Sequence, residues 1–264
     1  MKLNIPTIFK GIDTRKAYEK ALKEKEPAPS NLEKKAKTAS PIIPISGALS
    51  FVTDINLYKE FVEYVDSAFS SHKNILSSNL KFENGVMKGS NTYIATAADM
   101  FLKSTGSEYR LATQLDLEQD LKFTEGTYND SGLALRNLLG DNKEQAKYVF
   151  NQLKQRGFDE SYFPIWLNLR GLKLDKNLNF NLTDESLFKT AECLNWATGT
   201  KFSKINDFGL PLEKDETSTR QIWTSDNSLS RAYLLRYSDL YSSGSDLAYS
   251  NDNGRVVFAK LRSS

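Results

Sequence analysis

Cysteine and histidine are almost missing from this chain of 264 residues, which has one of each, Cys193 and His72. A single cysteine rules out an internal disulfide framework. That suits a reducing compartment and equally a disulfide-free protein outside the cell. A single histidine removes the usual ingredient of Ser-His-Asp triads and of histidine-based metal sites, and beside Lys73 it reads as a surface residue. An excess of either charge is missing too. The 35 Lys and Arg against 33 Asp and Glu leave a net +2, so bulk electrostatics recruits neither nucleic acid nor an acidic membrane. No apolar run approaches the ~18 residues of a membrane span, and Met1-Lys2-Leu3-Asn4-Ile5-Pro6 lacks the apolar centre of a signal peptide. The expectation is a soluble protein with no membrane insertion, either cytoplasmic or displayed on a cell or virion surface. Phosphate loops, dinucleotide fingerprints, zinc spacings and nucleophile elbows are also absent. No catalytic residue, metal ligand or cofactor is therefore assigned.

What remains is a chain with 39% hydrophobic and 11% aromatic residues, enough for one sizeable domain with an appendage or for two small ones. Residues 1–45 read as a charged arm, rich in Lys and Glu and broken by Pro27 and Pro29, with an exposed helix over Thr14 to Lys25. From residue 46 the pattern is that of a folded domain. Tyr58, Phe61, Val62, Val65, Ala68 and Phe69 recur at three and four and predict a helix over Asp54 to Phe69, capped by Thr53 or Asp54. Gly89 to Thr96 reads as strand or turn, followed by a short helix over Ala97 to Lys103. Thr113 caps a helix to Leu121 with Asp116 in its first turn. Asp116, Glu118 and Asp120 lie close in sequence, but no Gly-containing Ca²⁺ loop accompanies them, so they read as carboxylates on an exposed helix face.

Further on, Leu133 to Leu138 reads as a strand. Asp141 and Glu144 form a capping box for a helix that buries Ala146, Val149, Phe150 and Leu153 and stops at Gly157. Pro164 to Arg170 reads as a strand and Asp184 to Trp196 as a helix burying Leu187, Phe188, Ala191 and Leu194. That places Cys193 inside a helix as a packing or surface thiol. Phe208-Gly209-Leu210-Pro211 is a turn, and Arg220 to Thr224 a strand around Trp223. With helices in the middle, late short strands and no βαβ rhythm, the fold class is α+β with a small antiparallel sheet near the C-terminus.

The tail from Ser225 to Asn253 has its own absences. It holds no Lys, Glu, Gln, Met or Trp, and 20 of its 29 residues are Ser, Tyr, Asp, Asn or Gly. So polar a segment would ordinarily be disordered. Here it is bracketed by the Trp223 strand and by the apolar run Gly254-Arg255-Val256-Val257-Phe258, so its side chains are held and displayed. Tyr with Ser, Gly and Asn is the mixture of binding loops, in which rigid amphipathic rings supply area and small polar groups supply adaptable hydrogen bonds. If Leu235 to Ser245 is extended, its odd-numbered residues share one face, with Leu240 and Leu247 tacking the segment to the core. Asn251-Asp252-Asn253-Gly254 is a turn before the last strand. The Asp226-Asn227 and Asn251-Asp252-Asn253 clusters read either as turns or as displayed polar groups.

A Trp-bearing strand, a Tyr/Ser/Asn/Asp-rich tail and a terminal Gly-Arg-Val-Val-Phe strand resemble the variable proteins of diversity-generating retroelements, particularly those of archaea and archaeal viruses. In that family a reverse transcriptase copies a template repeat with errors at adenines, and the copy replaces the 3′ end of the gene. AAC and AAT template codons changed at those adenines yield Asn, Tyr, Ser, Asp and Gly, among others, but not Lys, Glu, Gln, Met or Trp, the five residues the tail lacks.

The motif-level match spans Arg220 to Phe258. The resemblance implies a C-type lectin-like domain over residues 46–264 and a non-enzymatic, ligand-binding role. The ligand it implies is unidentified, a protein or a cell-surface molecule. The diversified, ligand-binding positions it implies are Asp226, Asn227, Leu235, Tyr237, Asp239, Tyr241, Ser243, Gly244, Ser245, Tyr249, Asn251, Asp252 and Asn253. Trp223, Leu234, Leu240, Leu247 and Arg255-Val256-Val257 would be scaffold. The Ca²⁺-binding signature of sugar-binding lectins is missing, since Trp223-Thr224-Ser225-Asp226-Asn227 only approaches it and Glu-Pro-Asn does not occur. Two other classes stand beside this one. A fixed adhesion or viral receptor-binding protein would have the same tail without the genetic machinery. A formylglycine-generating-type enzyme would need paired cysteines, and the chain has only Cys193.

Overall fold

The computed structural model describes residues 8–9, 12–13, 48–235 and 239–261. The chain divides into two units at Pro41/Ile42. Of the first, β1 (Ile8–Phe9) and β2 (Ile12–Asp13) are described, paired antiparallel. The expected arm over residues 1–45 and its helix over Thr14 to Lys25 otherwise lie outside the described residues, as does Tyr237.

The second unit is mixed α+β. It opens with β3 (Leu49–Phe51) and α1 (Ile55–Ala68), where the Asp54 carboxylate accepts the Asn56 N–H at 2.7 Å and caps the helix. The predicted three–four spacing places Phe61 and Val65 in the core. A hairpin of β4 (Lys81–Glu83) and β5 (Val86–Lys88) follows. Next comes α2 (Thr92–Ser104), which begins well before the predicted Ala97. The run Thr92-Tyr93-Ile94-Ala95-Thr96, with three β-branched residues and a tyrosine, looks strand-like by propensity, but the Asn91 side chain accepts the Ile94 N–H at 2.8 Å and starts a helix buried on nearly all sides. Burial on every side overrides a weak propensity.

After β6 (Tyr109–Leu111), α3 (Gln114–Gln119) carries the expected cap. Thr113 and Asp116 exchange side-chain and backbone hydrogen bonds in a capping box. The long strand β7 (Tyr128–Leu135) is buried throughout, and α4 (Lys143–Gln155) buries Ala146, Val149, Phe150 and Leu153 as the spacing requires. Its expected Asp141–Glu144 box does not form. The residue preceding the helix is Asn142, in the left-handed region at φ 60°, and its amide donates to the carbonyls of Leu229 and Ser245 instead. The helix ends before Gly157, at φ 88°.

The remaining strands are β8 (Ile165–Asn168), the hairpin of β9 (Leu172–Leu174) with β10 (Phe180–Leu182), β11 (Phe188–Thr190), β12 (Thr200–Lys201), β13 (Gln221–Thr224), β14 (Leu229–Leu235), β15 (Asp239–Gly244) and β16 (Val257–Lys260). The helix predicted over Asp184 to Trp196 is not there. Phe188 to Thr190 pair with Leu167 to Ile165 as β11, and only Glu192–Asn195 turn, as a short 3-10 segment. Leu187, Ala191 and Leu194 are buried at helical spacing, but the backbone is claimed by a sheet partner about twenty residues upstream.

The main sheet has seven strands in the order β11-β8-β7-β14-β15-β13-β12, larger than the small C-terminal sheet expected. All its neighbours run antiparallel except β13 and β15. The chain leaves β13, returns as β14 beyond the place of β15, and then inserts β15 between them. A three-stranded sheet, β3-β16-β6, joins the last strand to the first part of the unit.

Side chains of a strand alternate between faces, and each face of the main sheet has its own core. On one face Leu133, Leu135, Ile165, Leu167 and Leu229 pack with α1, α2 and α4. On the other, Ala134, Trp166, Ala232, Leu234, Leu240 and Ile222 pack with Leu117, Leu194, Phe202 and Leu210. Each buried leucine contributes about 1.5–3 kcal/mol.

Candidate ligand-binding surface

The helices cover the first face only as far as Leu229. Past Arg231, which is buried, the residues facing the same way over the outer half of β14 and across β15 and β13 are half-buried: Tyr233, Leu235, Asp239, Tyr241 and Trp223. Their neighbours Leu234, Leu240 and Ile222 are buried beneath. The predicted alternation therefore holds from Asp239 to Ser242. A register shift between Arg231 and Tyr233 then sets Gly244, not an odd-numbered residue, opposite Arg231.

Four rings cross this face as a ladder. Trp223 stacks on Tyr241 at 5.6 Å and 13°, Tyr241 on Tyr233 at 5.4 Å and 12°, and Tyr233 meets Tyr128 edge-on at 5.7 Å and 65°. Cross-strand registration produces the stack, because Trp223 and Tyr233 both lie opposite Tyr241. Asp239 fixes its outer end, accepting the Trp223 indole N–H at 3.1 Å and the Gln221 backbone N–H at 2.8 Å. Both carboxylate oxygens are thereby occupied inside the protein.

Arg231 ties the ladder to the following loop. Its guanidinium donates to both oxygens of Asp130 at 2.8 Å and to the Tyr249 carbonyl at 2.7 Å. It also lies over the rings of Tyr128, Tyr233 and Tyr249 at 5.1, 4.7 and 5.8 Å. Burial alone would pull its pKa down, but the Asp130 charge and the surrounding tyrosines outweigh burial and raise it. Burial raises the Tyr233 phenol above its ordinary range as well. A second arginine, Arg136, lies buried under the tail and bonds only neutral oxygens. They are the Leu194 carbonyl at 2.8 Å, the Ser230 hydroxyl at 2.7 Å, and the Ser242 carbonyl and hydroxyl at 2.8 and 2.6 Å. Burial brings its pKa down to about 10.

The other expected positions fall in two places. Asp226, Asn227, Ser243, Gly244 and Ser245 gather at the Leu229 end of the sheet. There Asn227 reaches the Ser243 carbonyl at 3.4 Å, and Asn137 reaches the Asp226 carbonyl at 3.2 Å. Tyr249, Asn251, Asp252 and Asn253 form an exposed loop. The Asn251 backbone N–H donates to the Tyr128 hydroxyl at 2.9 Å and its side chain to the Tyr249 hydroxyl at 3.0 Å. Asp252 pairs with Lys81 at 3.0 Å, and that hydrogen bond lowers its pKa. The Asn251–Gly254 turn is present, closed by the Gly254 N–H on the Asn251 carbonyl at 3.0 Å. Leu234, Leu240, Leu247, Val256 and Val257 are buried, while Trp223 and Arg255 are half-exposed.

Sequence reasoning missed Tyr233 on this surface and Tyr128, the buried ring at the inner end of the ladder. A signal for the second exists, since Tyr128-Asn129-Asp130-Ser131-Gly132 has the composition of the tail itself. It also misplaced two carboxylates. Asp116 and Glu118 are buried, not on an exposed helix face. Asp116 pairs with Arg110 at 2.6 Å and Glu118 with Arg220 at 2.8 Å. Burial raises the Glu118 pKa, with Arg220 opposing. His72 is half-buried, its Nε2 3.1 Å from the Lys176 carbonyl oxygen. Cys193 is buried in the 3-10 segment, and burial pushes its thiol up to about 12.

Comparison with protein-family models, curated proteins and solved structures finds no match to this chain. Among the described residues no helix is long and apolar enough to cross a membrane, and no group of three or more His, Cys, Asp or Glu side chains could hold a metal ion.

Proposed function

We propose that this chain is a non-enzymatic ligand-binding protein. In this reading its tail is the diversified surface of a retroelement variable protein, carried on a C-type lectin-like scaffold. The observation that carries the proposal is the aromatic ladder, half-exposed at Trp223, Tyr241 and Tyr233 and ending on the buried Tyr128. Two tail tyrosines, Tyr233 and Tyr241, stand between Trp223 and Tyr128, on a sheet face the helices leave bare. Aligned rings with polar loops at both ends give a contact surface of low conformational entropy, the property that makes Tyr and Trp effective anchors. The absence of Lys, Glu, Gln, Met and Trp from Ser225 to Asn253 supports diversification through adenine-rich codons.

The test begins in the surrounding DNA. A reverse-transcriptase gene and a near-copy of the codons for Ser225 to Asn253, differing mainly at adenines, are expected. Without them the tail is fixed, and an adhesion or receptor-binding role takes precedence. Once a ligand is in hand, Tyr233→Ala with Tyr241→Ala should abolish binding while circular dichroism stays unchanged. Intact binding by that double variant would end the proposal.

A further inference from the structure

We propose that the tail contains a fixed lock, made of Ser230, Arg231, Ser242 and Gly244, that does not take part in variation and that positions the displayed residues around it. This rests on the binding reading for its meaning but on separate observations for its content. Four polar or small residues that look, by composition, like the rest of the tail are committed inward.

Ser230 and Ser242 face Arg136, which has only neutral acceptors; the Ser230 hydroxyl also donates to the Ser242 carbonyl at 2.7 Å, closing the cradle. Both serines are fully buried. A side chain without an acceptor at either place would leave a guanidinium N–H unbonded beneath the sheet, and a larger one would not fit. Arg231 is 3% exposed and Asp130 not at all. Gly244 lies opposite Arg231, and a Cβ there would sit 2.6 Å from its Cγ and 2.9 Å from its Cδ. That side chain cannot swing away, because Asp130 and the Tyr249 carbonyl hold its far end. Gly244 is therefore a part of the lock, and the ligand-binding role expected of it from sequence passes to its neighbours. Arg231 acts as the positioning residue: through one guanidinium it sets the Tyr249 loop against the ring of Tyr233.

Two arms test this on the full chain displayed on yeast. In the first, single-site saturation at the four lock positions and at Tyr241, Ser243, Tyr249 and Asn251 is sorted for resistance to chymotrypsin. Fewer than about one substitution in five should survive at each lock position and most should survive at the others. Gly244→Ser or Gly244→Asn surviving as well as wild type would overturn the lock.

The second arm replaces the ion pair by apolar groups of similar size, Asp130→Leu with Arg231→Met, a change that buried pairs often tolerate. If Arg231 positions the loop, the variant melts within a few degrees of wild type yet is cut after Tyr249 at least tenfold faster. Unchanged cleavage would reduce Arg231 to a purely structural role and overturn that part. The binding reading fails differently. Libraries at Tyr241, Ser243, Tyr249 and Asn251 that fold but yield no binder to biotinylated ubiquitin would count against it and leave the lock standing.

Discussion

The strands β14 and β15 have two faces of opposite chemistry built from one residue alphabet. Toward the second core they present Ala232, Leu234 and Leu240, with Ser230 and Ser242 against Arg136. On the other side they present Tyr233, Tyr241 and Asp239, half-exposed. Serine occurs on both sides with different meanings, a buried acceptor at 242 and a half-exposed neighbour at 243. Composition alone cannot separate them; pairing register can. Under the proposed reading, a surface that varies would rest directly on residues that do not, one position away along the same strand.

That contrast can be broken at graded cost. Asp130→Ala should be most severe, because it strands Arg231 as a buried unpaired charge. A loss of about 3–5 kcal/mol is expected by urea unfolding, and a loss under ~1 kcal/mol would mean that water reaches the guanidinium. Leu240→Ala, on the buried face, should cost about 2–5 kcal/mol for the lost transfer and the cavity. On the displayed face Tyr241→Ala loses two stacked contacts, each worth about 0.5–1.5 kcal/mol beyond the area buried, and should cost about 1–3 kcal/mol, so a larger penalty would put Tyr241 among the fixed residues. Ser242→Ala removes one of the acceptors of Arg136 but leaves the backbone carbonyl, and should cost about 1–2 kcal/mol. The smallest effect is read at Cys193, under the covered face. With its pKa near 12, only roughly a ten-thousandth is thiolate at pH 8. A disulfide-exchange reagent should leave the folded chain untouched at pH 8 and label it fully in guanidinium chloride.

Local signals in the sequence were sufficient where the structure itself is local. The caps at Asp54 and Thr113, the four-residue spacing in α1 and α4, and the period-two pattern from Asp239 to Ser242 were all visible. Errors arose where a partner outside the local pattern, most often one far along the chain, decided the outcome. Phe188 to Thr190 obey β8 over their own helical spacing. Asp116 and Glu118 look like solvated carboxylates until Arg110 and Arg220, the second of them 102 residues away, are set beside them. The expected Asp141–Glu144 box gives way to Asn142, whose amide holds the carbonyls of Leu229 and Ser245. The ladder was half visible for the same reason. Its tail members could be read as displayed, but Tyr128 joins them only through the pairing of β7 with β14.

The position of β15 also bears on synthesis. It lies between two strands that precede it, and β16, almost at the end of the chain, pairs with β3 and β6. The central sheet therefore cannot close until β15 has been made. The pairing of β3 with β16 spans most of the folded unit, the arrangement that slows folding. If the tail varies as proposed, each version would be tried for fit when β15 inserts between β13 and β14, after both have been made. A tail that failed to seat would leave the edges of β13 and β14 open, and an unpaired edge is a template for aggregation. Under the proposed reading, quality control of a varied tail would thus begin inside the molecule, before any ligand is met.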